Sequence, residues 1–200
     1  MGSKQINISF TDEQVAKYND QGYVLCFSAG VAGNPEFNVV ATADTISTVF
    51  NITWEDEFQI AATKDEFSNG VTFHISTTPT PIQFNEAYTL PKDWTDGTIS
   101  ADTLPTANSF AFVNQTSGAS AVIYKIINGK SLPFFISPNP IDPQATEVMT
   151  PLSTVALWFQ QNVTTGTMVS VVTDQLSTFD FSDRSSIDLT WNGSQFVPSS

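Results

Sequence analysis

Residues 49–62 read VFNITWEDEFQIAA and alternate apolar with polar side chains along most of their length. This period of two places Trp54 and the apolar residues before it on one face of a strand, and Phe58 continues the pattern after three acids. β-Branched and aromatic residues are typical of strands that bury one face. The stretch predicts two successive strands, at 49–54 and 57–62, and with them an all-β fold.

The same alternation recurs along the rest of the chain, and it is separated by turn signals rich in Gly, Asn and Pro. Only 14% of the residues are charged and 16 are Phe, so long solvated helices are not expected. The other predicted strands are 23–27, 38–42, 71–76, 109–114, 121–127, 155–160, 167–173, 177–181 and 187–191, with further apolar positions at 82, 84, 88 and 90.

One short helix is predicted near the start of the chain, in FTDEQVAKYNDQG at residues 10–22. Thr11 suits the N-cap, and Gln14 three residues later completes a capping box. Gly22 can end the helix in a left-handed conformation. We expect a helix over about residues 12–19 that packs against a sheet.

The two halves of the chain resemble each other in pattern. NGVTFHISTTPTPIQF (69–84) and TGTMVSVVTDQLSTFDF (165–181) both run from a Gly through an alternating strand to a second strand ending on Phe. The connector 91–108 joins halves at about 22–90 and 109–191. Since crossover helices are missing, we expect one antiparallel β-sandwich domain over residues 1–200, built from two similar halves by internal duplication.

Charge excludes some partners. The formal net charge is −13, whereas nucleic-acid binding needs a basic footprint and docking on anionic membranes needs basic residues. Cys26 is the sole cysteine, so an internal disulfide is impossible. No cofactor motif is present, and the start MGSKQINISF lacks an apolar leader. We expect a soluble cytoplasmic protein without a cofactor. The alternative is a secreted protein in which MGS is a cloning remnant that replaced the leader.

Trp94 is the aromatic residue that points most directly to binding, because it lies in the polar connector between Asp93 and Asp96 rather than in a strand. An aromatic ring can cover the C–H face of a sugar while carboxylates accept its hydroxyls. We therefore expect a non-enzymatic, lectin-like protein that binds carbohydrate through these three residues. The alternative is that Trp94 anchors the connector to the sandwich.

An enzyme is the second hypothesis, and it depends on His74, the sole histidine. Ser76 shares its face of the predicted strand 71–76, so His74 as base and Ser76 as nucleophile would act on a small molecule in a cleft. Cys26 is another candidate nucleophile. No sequence signature supports either pairing, and a strand histidine without catalytic function explains the same pattern.

The acidic segments suggest weaker alternatives. Asp180 and Asp183 lie in a loop-like stretch that could bind calcium, although Asp-rich turns commonly bond their own backbone. The acids of WEDEF (54–58) could serve glycoside hydrolysis, but a solvated edge or turn is the simpler interpretation. A third hypothesis is a self-assembling structural protein, a homo-oligomer with edge strands and Pro-rich loops at the subunit contacts.

Overall fold

The computed structural model describes residues 2–33, 35–104, 106–170 and 176–199, which form fifteen strands and one helix. The helix is α1 (Asp12–Asp20). The strands are β1 (Lys4–Ser9), β2 (Tyr23–Val31), β3 (Thr42–Asp44), β4 (Val49–Thr63), β5 (Thr80–Ile82), β6 (Glu86–Leu90), β7 (Thr98–Ala101), β8 (Phe110–Asn114), β9 (Ser120–Ile127), β10 (Lys130–Ile136), β11 (Thr146–Met149), β12 (Pro151–Gln161), β13 (Ser177–Asp180), β14 (Ser186–Trp191) and β15 (Phe196–Pro198).

The strands of the described part of the chain form three sheets. The main sheet has the order β10-β9-β4-β1-β14-β15, with β5 also paired to β4. The second sheet is β13-β12-β2-β3, and the third is β11-β8-β6-β7. Neighbouring strands are antiparallel except in the pairs β1–β14 and β6–β8, which are parallel. The predicted all-β, sandwich-like fold is confirmed, with these parallel pairs as a departure from a purely antiparallel arrangement.

Strand β4 contributes core residues that connect the three sheets. Its two predicted strands are one continuous strand, and its inward side chains meet both smaller sheets. Trp54 lies 5.3 Å from Phe27 of the second sheet, and Phe58 lies 5.7 Å from Phe110 of the third sheet, measured between ring centroids. Burying a large apolar side chain contributes roughly 1.5–3 kcal/mol, so β4 joins the three sheets into one core.

The helix forms where the capping box predicts it. Thr11 Oγ1 accepts a hydrogen bond from the Gln14 amide at 3.2 Å, and the Gln14 side chain accepts one from the Thr11 amide at 3.0 Å. Tyr18 fixes the helix to the core by stacking on Phe159 at 4.3 Å and by accepting a 2.8 Å hydrogen bond from Trp191 Nε1. No helix in the described residues is long and apolar enough to cross a membrane.

The predicted strand 71–76 is wrong. Only Thr72 forms an isolated bridge there, and the rest of the described segment is irregular. The His74 amide donates to Asp65 Oδ2 at 2.7 Å, and the Thr63 hydroxyl donates to the His74 carbonyl at 2.6 Å. Because the side chains of Thr63 and Asp65, at and just after the end of β4, form hydrogen bonds with these backbone groups, the segment is held in place without a partner strand.

The predicted strand 38–42 is also replaced by an irregular but buried segment. Its described residues form an isolated bridge at Val39 and lead into β3. The Asn38 side chain substitutes for a strand partner, since it donates to the Ile136 carbonyl at 2.6 Å and accepts from the Ile136 amide at 3.2 Å. Of the predicted strand 167–173, residues 171–173 lie outside the described residues; Thr167 and Met168 form isolated bridges, and residues 169–170 are irregular.

The predicted duplication is not confirmed by the sheet topology. Strand β2, at the start of the first half, belongs to the second sheet, whereas β8 and β9, at the start of the second half, belong to the third sheet and the main sheet. The connector 91–108 also contains a strand, β7, at the edge of the third sheet. Similar alternation in the two halves therefore does not correspond to similar positions in the sheets.

Candidate functional site

A β-bulge in the middle of β4 creates the most unusual polar feature of the fold. Glu55 opposes Ile126 of β9, but the next paired residue is Phe58, which opposes Lys125. Asp56 and Glu57 are therefore extra residues with no partner on β9. A bulge bends the strand and re-aims side chains, and bulges are enriched next to functional sites.

The bulge brings Asp56 between two lysines. Asp56 Oδ1 lies 2.9 Å from Lys125 Nζ, and Asp56 Oδ2 lies 2.8 Å from Lys4 Nζ. The Lys125 side chain is only 2% exposed, whereas those of Lys4 and Asp56 are 16% and 30% exposed. The Lys125 ammonium also lies 4.8 Å from the centre of the Phe58 ring. A charge this deeply buried requires a partner, and Asp56 supplies it.

The pKa values of this pair follow from burial and from mutual attraction. Burial lowers the pKa of Lys125, and the Asp56 carboxylate offsets part of that effect. Burial alone would raise the pKa of Asp56, but the ammonium groups of Lys125 and Lys4 outweigh it, so the Asp56 pKa lies below its usual value. Asp56 is therefore a carboxylate at neutral pH, held in one orientation from both sides.

Two depressions open on the surface beside this carboxylate. The larger has a volume of about 650 Å³ and the smaller about 240 Å³. Asp56, Phe58 and Phe84 line both, so the two depressions are adjacent, and together they make up the Phe58–Phe84 groove. The remaining lining residues of the larger depression are Glu57, Gln59, Pro81, Ile82, Gln83 and Ile126, and those of the smaller are Asn108, Pro151, Leu152 and Ser153.

The floor of this Phe58–Phe84 groove is aromatic. The two rings lie 5.7 Å apart between centroids, and Phe84 also stacks on Phe110 with an interplanar angle of 14°. Phe84 is half-buried, so part of its ring faces solvent, while Phe58 beneath it is buried. The backbone N–H of Gln83 donates a hydrogen bond to Glu86 Oε2 at 2.7 Å, and this bond stabilises the turn that contains Phe84. The groove thus combines a supported ring with a fixed carboxylate.

Trp94 lies in a loop with Asp93 and Asp96, as predicted, but both carboxylates already accept hydrogen bonds from other residues. Trp94 adopts a positive φ of 59° and is half-buried against the core, and Lys64 Nζ lies 4.9 Å from its ring centroid. Asp93 accepts hydrogen bonds from the hydroxyl and amide of Thr95, which lower the pKa of its carboxyl. Asp96 Oδ1 accepts from the Thr78 amide at 2.7 Å. Lys64 thus lies over part of the Trp94 ring, and both carboxylates already accept hydrogen bonds from the protein.

His74 and Ser76 lie on the exposed segment that was predicted as a strand. The His74 side chain is 91% exposed, and its Nδ1 lies 3.6 Å from Asp65 Oδ2. Ser76 Oγ accepts from the Lys64 amide at 3.2 Å rather than bonding to the imidazole. Cys26 is buried, and burial raises the pKa of its thiol to about 12. The described residues therefore do not bring a base and a nucleophile into contact at His74.

The calcium candidates lie in a turn that satisfies its own carboxylate. Asp180 accepts from the amide and the hydroxyl of Ser182 at 2.8 and 2.9 Å, and these bonds lower its pKa. Asp183 is exposed in the same turn. Within the described ranges, no group of three or more His, Cys, Asp or Glu side chains is arranged to hold a metal ion.

The sequence interpretation overlooked Lys125, and one signal could have revealed it. SAVIYKII, residues 120–127, is an apolar strand in which Lys125 falls at the same alternation as Ile123 and Ile127. A lysine that faces the core needs a buried partner. The acids of residues 55–57 stand out in the sequence, but the pairing of Asp56 with Lys125 across β4 and β9 does not.

Comparison with known proteins adds no relative to this picture: no protein-family model, curated protein or solved structure matches the chain significantly.

Proposed function

We propose that this protein is a non-enzymatic recognition protein that binds carbohydrate in the Phe58–Phe84 groove. The observation that carries the proposal is the placement of a partly exposed aromatic ring beside an ionised carboxylate that two lysines hold in position. The larger depression, about 650 Å³, lies within the range of roughly 300–1,000 Å³ typical of small-ligand sites.

The chemistry of the groove suits a sugar. Each sugar ring has an apolar C–H face, which an aromatic ring can cover, and hydroxyls that need hydrogen-bond acceptors and donors. Phe84 provides the ring, Asp56 the acceptor, and Gln59 and Gln83 provide amides on the rim. Because Lys4 and Lys125 already orient the carboxylate, little conformational entropy is lost when it accepts a hydroxyl.

The state of Asp56 favours binding over glycoside hydrolysis. Hydrolysis of a glycosidic bond needs one carboxyl group with a raised pKa that donates a proton to the leaving group. The lysines shift the pKa of Asp56 in the opposite direction, which keeps this group an acceptor at neutral pH. Its role in the proposal is to hold a hydroxyl rather than to break a bond.

A glycan array tests the proposal with four forms of the protein: wild type, Phe84→Ala, Trp94→Ala and Phe50→Ala. Phe50 is a half-buried phenylalanine on the same strand as Phe58 and does not line the groove, so it controls for the loss of a ring. We expect the wild type and the Phe50 and Trp94 variants to bind the same sugars, and Phe84→Ala to lose at least ten-fold in signal.

Other outcomes separate the two candidate sites from the function itself. Loss of binding in Trp94→Ala with retention in Phe84→Ala would return the site to the connector loop. Wild-type protein that binds no glycan, while its circular dichroism shows a folded β protein, would refute carbohydrate recognition.

A further inference from the structure

The two depressions of the Phe58–Phe84 groove share three lining residues, and their adjacency bears on the size of the ligand. The larger extends from Asp56 toward the end of β5 and the residues that follow it (81–84), and the smaller extends toward Asn108 and residues 151–153. With about 240 Å³, the smaller falls below the roughly 300 Å³ at which pockets usually hold a ligand alone. It is therefore best understood as an extension of the larger one.

We infer that the groove binds a chain of at least two linked sugars, with Asp56 and Phe84 at the junction of two subsites. This inference rests on the proposed function and adds the class of sugar to it. One sugar unit of the oligosaccharide occupies the larger depression on the aromatic floor. The next sugar unit reaches the polar side chains of Asn108 and Ser153 in the smaller depression.

The charges along the groove favour an uncharged chain. Asp56 and Glu57 are the ionisable side chains among the described residues that line the two depressions. The ammonium groups of Lys4 and Lys125 are both held by Asp56, and Lys125 is 2% exposed, so neither is available to a ligand anion. A sulfated or uronic-acid chain would bring further negative charge to the exposed Glu57 carboxylate, and no cation among the described lining residues is free to compensate it, which is unfavourable.

Asn108 offers a clean way to test the second subsite. Its backbone adopts a positive φ of 56°, a conformation that glycine accommodates without strain, so Asn108→Gly removes the side-chain amide while the backbone stays compatible with the fold. Asn108 lines the smaller depression and does not line the larger. The variant should therefore weaken the binding of chains and leave the binding of single sugars unchanged.

The experiment measures affinity by isothermal titration for one to four residues of each of two uncharged series, β-1,4-linked glucose and β-1,4-linked N-acetylglucosamine, with tetragalacturonate as the acidic probe. We expect the tetrasaccharide of at least one uncharged series to bind ten-fold or more tightly than its monosaccharide. Asn108→Gly should reduce tetrasaccharide affinity by about 3- to 10-fold, the effect of one neutral hydrogen bond, with no change for the monosaccharide.

Each failure has a distinct meaning. Equal affinity for monosaccharide and tetrasaccharide would overturn the two-subsite inference and leave the proposed function standing. Tighter binding of tetragalacturonate than of either uncharged tetrasaccharide would overturn the inference of a neutral chain. No binding of either series, together with a blank glycan array, would refute the proposed function and the inference with it.

Discussion

Replacing either member of the Asp56–Lys125 pair should have unequal effects, because the two groups are unequally buried. The Lys125 side chain is 2% exposed, so Asp56→Asn leaves its buried ammonium without a carboxylate partner and near a second cation, Lys4. Removing one partner of a buried ion pair costs about 3–5 kcal/mol in the free energy of unfolding. We expect the full effect here, since the bulk of Lys125 is enclosed by protein.

Lys125→Met should be much milder. The methionine side chain keeps most of the volume beside Phe58 and Phe134, and it removes the cost of burying a charge. Asp56 is 30% exposed and keeps its 2.8 Å contact with Lys4, so it is not left unpaired. The lost charged hydrogen bond, about 1.5–3 kcal/mol, is thus largely offset, and we expect a net loss of about 0–2 kcal/mol.

The double variant makes the test quantitative. Asp56→Asn with Lys125→Met removes both charges and should be more stable than Asp56→Asn alone, because the unpaired buried cation is gone. Urea unfolding at pH 7, followed by tryptophan fluorescence, gives the midpoints and slopes. Glu55→Gln is the matched control, since it neutralises an exposed acid on the same strand and should shift stability by less than about 0.5 kcal/mol.

Two results would refute this reasoning. One is a loss in Lys125→Met that equals or exceeds the loss in Asp56→Asn. The other is a double variant whose destabilisation equals the sum of the single ones, because additivity would mean that the two charges do not interact.

Three further predictions concern acid stability, thiol reactivity and a buried amide. The pKa of Asp56 in the folded protein lies below its unfolded value of about 3.9, so the stabilisation by Asp56 is complete above that value and is lost as pH falls through the folded pKa. Over this pH range the wild type should lose more stability than Asp56→Asn, as measured by thermal unfolding. Parallel pH profiles of the two proteins would contradict this. Cys26, with a pKa raised to about 12, should not react with a thiol reagent at pH 8 until urea unfolds the protein, and fast native labelling would show that the thiol is accessible. Asn38→Ala leaves the buried amide and carbonyl of Ile136 unsatisfied and should cost roughly 2–5 kcal/mol in urea unfolding, whereas a loss below about 1 kcal/mol would mean that water replaces the side chain.

Local signals in the sequence were sufficient where the structure depends on neighbours along the chain. The capping box of Thr11 and Gln14 predicts the helix because each member bonds the other's backbone within a single turn. The alternation in residues 49–62 predicts β4 because a half-buried strand needs a period of two. The prediction failed at 71–76, where the same alternation occurs but Thr63 and Asp65 bond the backbone in place of a partner strand.

The candidate site could not be predicted because it joins distant segments through a departure from regular pairing. The bulge at Asp56 and Glu57 depends on the register between β4 and β9, which alternation alone does not define. The aromatic floor likewise needs Phe84 to reach β4 from a turn stabilised by Glu86. Trp94, which stands out in the sequence by its polar neighbours, is the alternative sugar-binding residue, and the glycan array distinguishes it from Phe84.

The placement of β1 has a consequence for how the protein is made. β1 lies inside the main sheet between β4 and β14, so Ile6 pairs with Ile52 on one side and with Ile187 on the other. During translation the side of β1 that faces β4 can be covered early, but its other side stays unpaired until residues 186–191 have been synthesised. At ~5–20 residues per second this interval is on the order of ten seconds. An unpaired strand edge is a template for aggregation, so we expect the nascent chain to be most prone to aggregate before β14 has been synthesised.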